Sequence, residues 1–227
     1  MGLPYYLHCY NSQNLLIYFN SLADNGSADD HFLLKHTLVE NFTDYDILIL
    51  KDRWRLNWYI SIIPEIEKFI ADLIVEKSYK NVFALADSSG AIPLLSCLPN
   101  NPFFRRAVVV NGQVDISEEI IYKYRDNVVG SLDLSKVVGE FDKKYLRPLN
   151  LIDYSNKFEI VFYYNYFKSD KIYADIISNL SKSNFKVRLD FKRSGEMPCH
   201  AIYIKDLFTS KNFIEEMKFY FSQYEHI

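Results

Sequence analysis

Three residues whose types together perform acyl transfer each follow a segment that reads as a strand: Ser88, Asp170 and His200. Ser88 lies in Asn81-Val82-Phe83-Ala84-Leu85-Ala86-Asp87-Ser88-Ser89-Gly90-Ala91-Ile92-Pro93-Leu94-Leu95, a buried apolar run, a tight turn and an apolar helix. That is the layout of a nucleophile elbow, in which a strained strand-to-helix turn lifts a serine hydroxyl above a sheet. The common elbow reads G-x-S-x-G; here Ala86 replaces the first glycine, while Gly90 and Ala91 keep the helix start narrow. A D-S-S-G turn also serves as a plain helix N-cap. The serine therefore takes its meaning from its partners.

A serine hydroxyl is a weak nucleophile until a base takes its proton. Of the five histidines, His200 follows the last predicted strand, in Ser194-Gly195-Glu196-Met197-Pro198-Cys199-His200, and leads into the final helix. His8 precedes the first predicted strand, His31 and His36 belong to an early helix or its approach, and His226 is one residue from the end. The imidazole needs an acid that orients it and stabilises its charged form. Asp170, in the loop just past the strand ending near Tyr164, supplies it; Asp175 is the alternative inside the following helix, and Asp190 fits less well. The chain order Ser, Asp, His is that of serine hydrolases built on an α/β sheet. A tetrahedral intermediate needs backbone donors for its oxyanion. Position nominates the N–H of Ser89 and, from the loop after the first apolar strand, the N–H of Ser21 or Leu22.

Two further segments face the same chemistry. Asp52-Arg53-Trp54-Arg55-Leu56-Asn57-Trp58-Tyr59 opens the loop after the strand ending at Leu50. Arg53, Trp54 and Trp58 suit a sugar face or an anionic group; the competing reading has Trp58 and Tyr59 anchoring the next helix while the arginines pair with acids. Asn111, where the strand over 106–112 runs out into a loop, is the remaining candidate for substrate binding.

The elements that must position these residues alternate between strand and helix. Leu15–Phe19, Asp46–Leu50, Asn81–Leu85, Arg106–Gly112, Phe158–Tyr164 and Phe185–Asp190 are rich in β-favouring residues, as strands covered on both faces are. Ile62–Glu76 carries apolar residues at helical spacing, Ala91–Leu98 and Tyr173–Leu180 read as helices, and Ala201–Tyr224 is mostly helix. Such alternation predicts an α/β fold, a mostly parallel central sheet flanked by helices. Ligands bind such sheets beyond the carboxyl ends of the strands, so the loops after Phe19, Leu85, Val110, Tyr164 and Asp190 should meet at one edge. Residues 1–227 read as a single domain, with 115–150 the candidate cap insertion, since it interrupts the alternation.

Bulk properties narrow the partners. An apolar fraction of 49% supports a sizeable core, and seven glycines and seven prolines argue against disorder. A net charge of −3 argues against nucleic acid as the main partner, since a phosphate-tracking protein needs a basic face. No apolar run approaches the roughly 20 residues that span a bilayer. The amino terminus lacks a secretory pattern. The three cysteines Cys9, Cys97 and Cys199 show no metal-ligand spacing, so no metal is expected and a reduced, cytoplasmic compartment fits best.

Leu16–Ala23, Lys51-Asp52 through Trp58-Tyr59, Ala86–Ala91, Asp170 and His200 together resemble the α/β-hydrolase superfamily. Within it the chain is similar to small bacterial proteins of surface-polysaccharide biosynthesis, including capsule O-acetyltransferases. That resemblance implies that Ser88 accepts an acyl group, His200 shuttles its proton and Asp170 orients His200. The acyl group would pass to water or to a sugar hydroxyl of a small-molecule or glycan ester substrate. No cofactor is required, with acetyl-CoA the donor for a transferase. Two alternatives stay open: a carboxylesterase acting on an acyl carrier, like the pimeloyl-carrier methyl esterases, and an interaction module that kept the fold and lost the chemistry.

Overall fold

The computed structural model describes residues 3–21, 32, 34–51, 59–123, 140–165, 168–180, 182–190 and 200–223; within these, the side chains of 121–123, 140–142, 168, 169, 190 and 200–202 are outside what is described. A seven-stranded sheet runs through its centre in the order β1-β3-β2-β4-β5-β6-β7. The strands are β1 (Tyr5–His8), β2 (Asn14–Phe19), β3 (Asp46–Leu50), β4 (Asn81–Asp87), β5 (Phe104–Val110), β6 (Glu159–Asn165) and β7 (Phe185–Asp190). Six of them are parallel. Only β1 is antiparallel, pairing Tyr5 with Leu50 and His8 with Ile47 at the sheet edge. The expected mostly parallel α/β sheet is what forms. The four residues of β1 carry too little periodicity to announce a strand in the sequence.

Alternation along each strand divides the core in two. Leu15, Ile17, Phe19, Leu48, Leu50, Ala84, Ala86, Ala107 and Val109 face one side, where α2 (Ile63–Lys77), α3 (Ala91–Cys97) and α5 (Lys168–Asn179) cover them. Leu16, Tyr18, Ile47, Ile49, Phe83, Leu85, Val108 and Val110 face the other, under α1 (Lys35–Asn41), α6 (His200–Thr209) and α7 (Lys211–Ser222). The core of this second layer is aromatic: Phe83, Phe42 and Tyr45 all meet Phe221 of α7 at ring separations of 5.5 to 6.3 Å.

Between β5 and β6 lie α4 (Glu118–Lys123) and the 3-10 segments Glu140–Leu146 and Pro148–Leu151. Arg147 links this region to Asp115 after β5 and to α4, its Nε 3.6 Å from Asp115 and its Nη2 2.6 Å from Glu119. The middle of the expected cap, 124–139, lies outside the described residues.

Candidate active site

Register brings the carboxyl ends of the strands level. Phe19 pairs with Leu50 on one side and Ala86 on the other, Asp87 with Val110, and Val110 with Tyr163. The residues that follow therefore leave the sheet at one edge, and Ser88 is the first residue beyond β4. Its φ is 48°. A side chain with a Cβ enters this left-handed region at a cost, and it persists where the surroundings over-determine it. Asp87 before it is extended (φ −129°, ψ 150°), and Ser88–Gly90 after it wind a 3-10 turn that runs directly into α3. The chain thus reverses from strand to helix at the serine itself, as an elbow requires. Ser88 is partly exposed while Ser89 is fully buried.

Neighbours hold this turn closely. Gly90 has an ordinary φ of −62°, yet a Cβ there would lie 2.1 Å from the carbonyl oxygen of Phe19. Only glycine lets α3 approach the end of β2. On the other side, the backbone N–H of Gln113 donates to the Ser88 carbonyl at 2.9 Å. Asp87 is 2% exposed and accepts a 2.6 Å hydrogen bond from the Tyr18 hydroxyl, which also reaches Asn20 Oδ1 at 3.4 Å. The Tyr59 hydroxyl donates to the Asn20 carbonyl and, at 3.2 Å, to that of Leu50. A polar network therefore joins the elbow to the chain leaving β2, where Ser21 sits buried with its hydroxyl unpartnered among the described residues.

Asp170 is where structure and sequence reading part. The loop expected around it is the first turn of a helix, because α5 begins at Lys168 rather than Tyr173. An acidic side chain in a first turn is favoured by the helix dipole. Asp170, Tyr173, Ala174 and Ile177 form the inner stripe of α5, all at most 2% exposed. The alternative acid Asp175 is half-exposed and paired with Lys171 at 2.6 Å. Burial and then the charge of Asp170 push the Tyr164 and Tyr173 hydroxyls well above the usual tyrosine range. Tyr164 donates to the Gly112 carbonyl at 2.8 Å, and the Tyr173 hydroxyl has no partner among the described residues. Asp170 therefore stands among buried phenols behind the loop that follows β5.

His200 is the first residue of α6, and its side chain lies outside what is described, as do residues 191–199 before it. Leu22, Arg53, Trp54 and Trp58 lie outside the described residues as well. Of the other histidines, His8 stands level with Ile47 at the far end of the sheet and packs on Tyr10, and His36 is on α1. Asn111 is fully buried at the end of β5 with φ 48°, and its Oδ1 accepts the Asn165 N–H at 3.1 Å. Tyr18, Asn20, Asp87, Gln113 and Tyr164 have partners remote along the chain, which leaves no local signal in the sequence. A cavity of about 280 Å³ lined by Pro99, Phe104, Arg105, Asn156, Lys157 and Phe158 opens at the amino ends of β5 and β6, away from Ser88. Among the described residues no group of His, Cys, Asp and Glu is placed to hold a metal ion, and no helix is long and apolar enough to cross a membrane.

This strand order, with the turn after β4, is the α/β-hydrolase fold, and solved structures match it along nearly the whole chain. A carboxylesterase of the thaumarchaeon Nitrososphaera gargenis is 9% identical at a TM-score of 0.56, covering 96% of this chain and 93% of that one. An α/β-hydrolase enzyme from the sediment metagenome of the Mar Chica lagoon is 14% identical at 0.54, covering 96% and 94%. The acylaminoacyl peptidase of Pyrococcus horikoshii aligns at 0.63 and 12% identity, where 95% of this chain spans 38% of the peptidase. No protein-family model matches the sequence, and a search of curated proteins finds no match.

Proposed function

We propose that this chain is a serine-dependent acyl-ester enzyme. The observation that carries the reading is the left-handed backbone of Ser88 at the end of β4, φ 48°, on a non-glycine residue held from both sides. Strain of this kind at a partly exposed serine has a use: it presents Oγ beyond the sheet edge. The carboxylesterases among the solved structures of this fold support the same chemistry.

In this reading Ser88 Oγ attacks the acyl carbonyl and gives its proton to His200. The oxyanion is held by the Ser89 N–H and by an N–H from Ser21 or Leu22. The alcohol or thiol leaves with the proton from His200, and an acyl ester remains on Ser88. A second nucleophile, water or a glycan hydroxyl, is deprotonated by His200 and takes the acyl group. Asp170 orients His200 and stabilises its charged form. For the transfer branch we propose acetyl-CoA as donor and a bacterial surface glycan or its precursor as acceptor, on the resemblance of the elbow, the loop after Leu50, Asp170 and His200 to capsule O-acetyltransferases. The segment carrying Arg53, Trp54 and Trp58 is the one suited to the sugar.

The test offers small acyl esters and, separately, acetyl-CoA with oligosaccharide acceptors to wild type and Ser88→Ala. Turnover that disappears in Ser88→Ala, with an acyl adduct on Ser88 by mass spectrometry, supports the proposal. Turnover that survives the substitution overturns it.

A further inference from the structure

Asn111, Gly112 and Gln113 follow β5 and join the elbow at Ser88 to the end of β6. Gln113 N–H donates to the Ser88 carbonyl at 2.9 Å. A Cβ on Gly112 would lie 2.8 Å from Cβ of Ala91, the first residue of α3, so the turn is packed against the elbow helix. The Gly112 carbonyl takes the Tyr164 hydroxyl at 2.8 Å. Asn111 itself is fully buried in the left-handed region, φ 48°. Its N–H donates to the Tyr163 carbonyl at 2.8 Å, and its Oδ1 accepts the Asn165 N–H at 3.1 Å.

Asn165 is the last residue of β6, and Asp170 is five residues on, in the first turn of α5. The Asn111 side chain thus fixes where β6 releases the chain that carries the acid, while its own turn fixes the Ser88 carbonyl. We propose that Asn111 is a positioning residue: through the Asn165 amide it sets the placement of Asp170 relative to Ser88. This rests on the triad reading above. Asparagine suits the position twice, since it tolerates the left-handed backbone better than most side chains and supplies an acceptor at the length a strand end requires. Misplacing a catalytic group by about 1 Å can cost on the order of 10²-fold in rate.

Asn111→Gly keeps the backbone conformation and removes the acceptor; Asn111→Asp keeps the acceptor and removes the amide donor. Both are assayed on an acyl ester beside Asp170→Asn, with kcat expressed per serine titrated by a fluorophosphonate. The expected result is a roughly ten- to hundredfold lower kcat for Asn111→Gly at nearly unchanged KM, with Asn111→Asp recovering most of the loss. If Asn111→Asp does not fold, the kcat and KM of Asn111→Gly alone decide. A raised KM at unchanged kcat assigns Asn111 to substrate contact and overturns the inference, as does equal impairment of folded Gly and Asp variants. If Asp170→Asn leaves kcat unaltered, the triad reading fails; if only Asn111→Gly is silent, the positioning role alone fails.

Discussion

Gly90 and Phe19 approach so closely that a methyl group on Gly90 would overlap the Phe19 carbonyl at 2.1 Å. The glycine of the elbow is there for space, since its φ of −62° is open to any residue. This contact sets the height of α3 against β2, and with it the distance between Ser89 and the chain leaving β2 at Asn20 and Ser21.

Gly90→Ala should therefore act sterically. Overpacking typically costs about 1–3 kcal/mol and sometimes more, and here the obstacle is backbone. Denaturant melts should show that loss, and probe labelling of Ser88 should fall even where the protein remains folded. A variant as stable and as reactive as wild type would show that the strand end yields freely.

Tyr18 and Asp87 make a second cross-strand contact at the elbow, 2.6 Å between hydroxyl and carboxylate with both residues buried. Tyr18→Phe removes the donor and leaves the aromatic packing on Phe208. The expected cost is about 1.5–3 kcal/mol, the range for a hydrogen bond to a charged group. Equilibrium unfolding in urea checks it, and a midpoint indistinguishable from wild type would mean that Asp87 is satisfied without Tyr18.

These two contacts show why one part of the candidate site is legible in the sequence and the other is not. The elbow was readable because its strand, its Ser-Gly turn and its apolar helix are contiguous, so local pattern and tertiary role coincide. The sheet was readable for the same reason, in continuous runs such as Asp46–Leu50. Tyr18 and Asp87 are 69 residues apart, and nothing in either segment announces the other. Asp170 is a candidate from its place after β6, but its helix starts at Lys168, earlier than the sequence pattern indicates. Lys168-Ser169-Asp170-Lys171 is uniformly polar, and only the packing of Asp170 in line with Tyr173 and Ile177 shows a helical stripe.

Asp170 and Asp175 are separated by burial, and substitution should separate them by activity. Asp170→Asn should lower kcat by roughly 10⁴-fold, the order seen when the acid of a serine triad loses its charge, with KM little changed. Asp175→Asn breaks a half-exposed pair with Lys171 and should alter stability and rate only slightly. Steady-state kinetics on one ester with both variants decides, and the reverse ranking would assign the acid role to Asp175.

The buried tyrosines give a pH dependence on the alkaline side. Burial, then the charge of Asp44, pushes Tyr45 from 10.0 up to about 12, and Tyr79, Tyr164, Tyr173 and Tyr220 are raised further by burial above all. A folded-state pKa above the unfolded value means that between the two the unfolded chain binds fewer protons. Stability from this source is complete below about pH 10 and declines as pH rises toward the folded-state values. Thermal melts should keep this contribution intact through neutral pH and lose midpoint steadily above pH 10, with tyrosinate absorbance rising together with unfolding. Titration of all eighteen tyrosines in protein that stays fully folded near pH 10 would contradict the burial of these hydroxyls.

The most direct test of Ser88 as an activated nucleophile is fluorophosphonate labelling of the folded protein, wild type against Ser88→Ala, with the adduct mapped by mass spectrometry. The geometry of the elbow predicts one adduct, on Ser88, absent from the variant. Undiminished labelling of Ser88→Ala, or a folded wild type that takes no label, would contradict it.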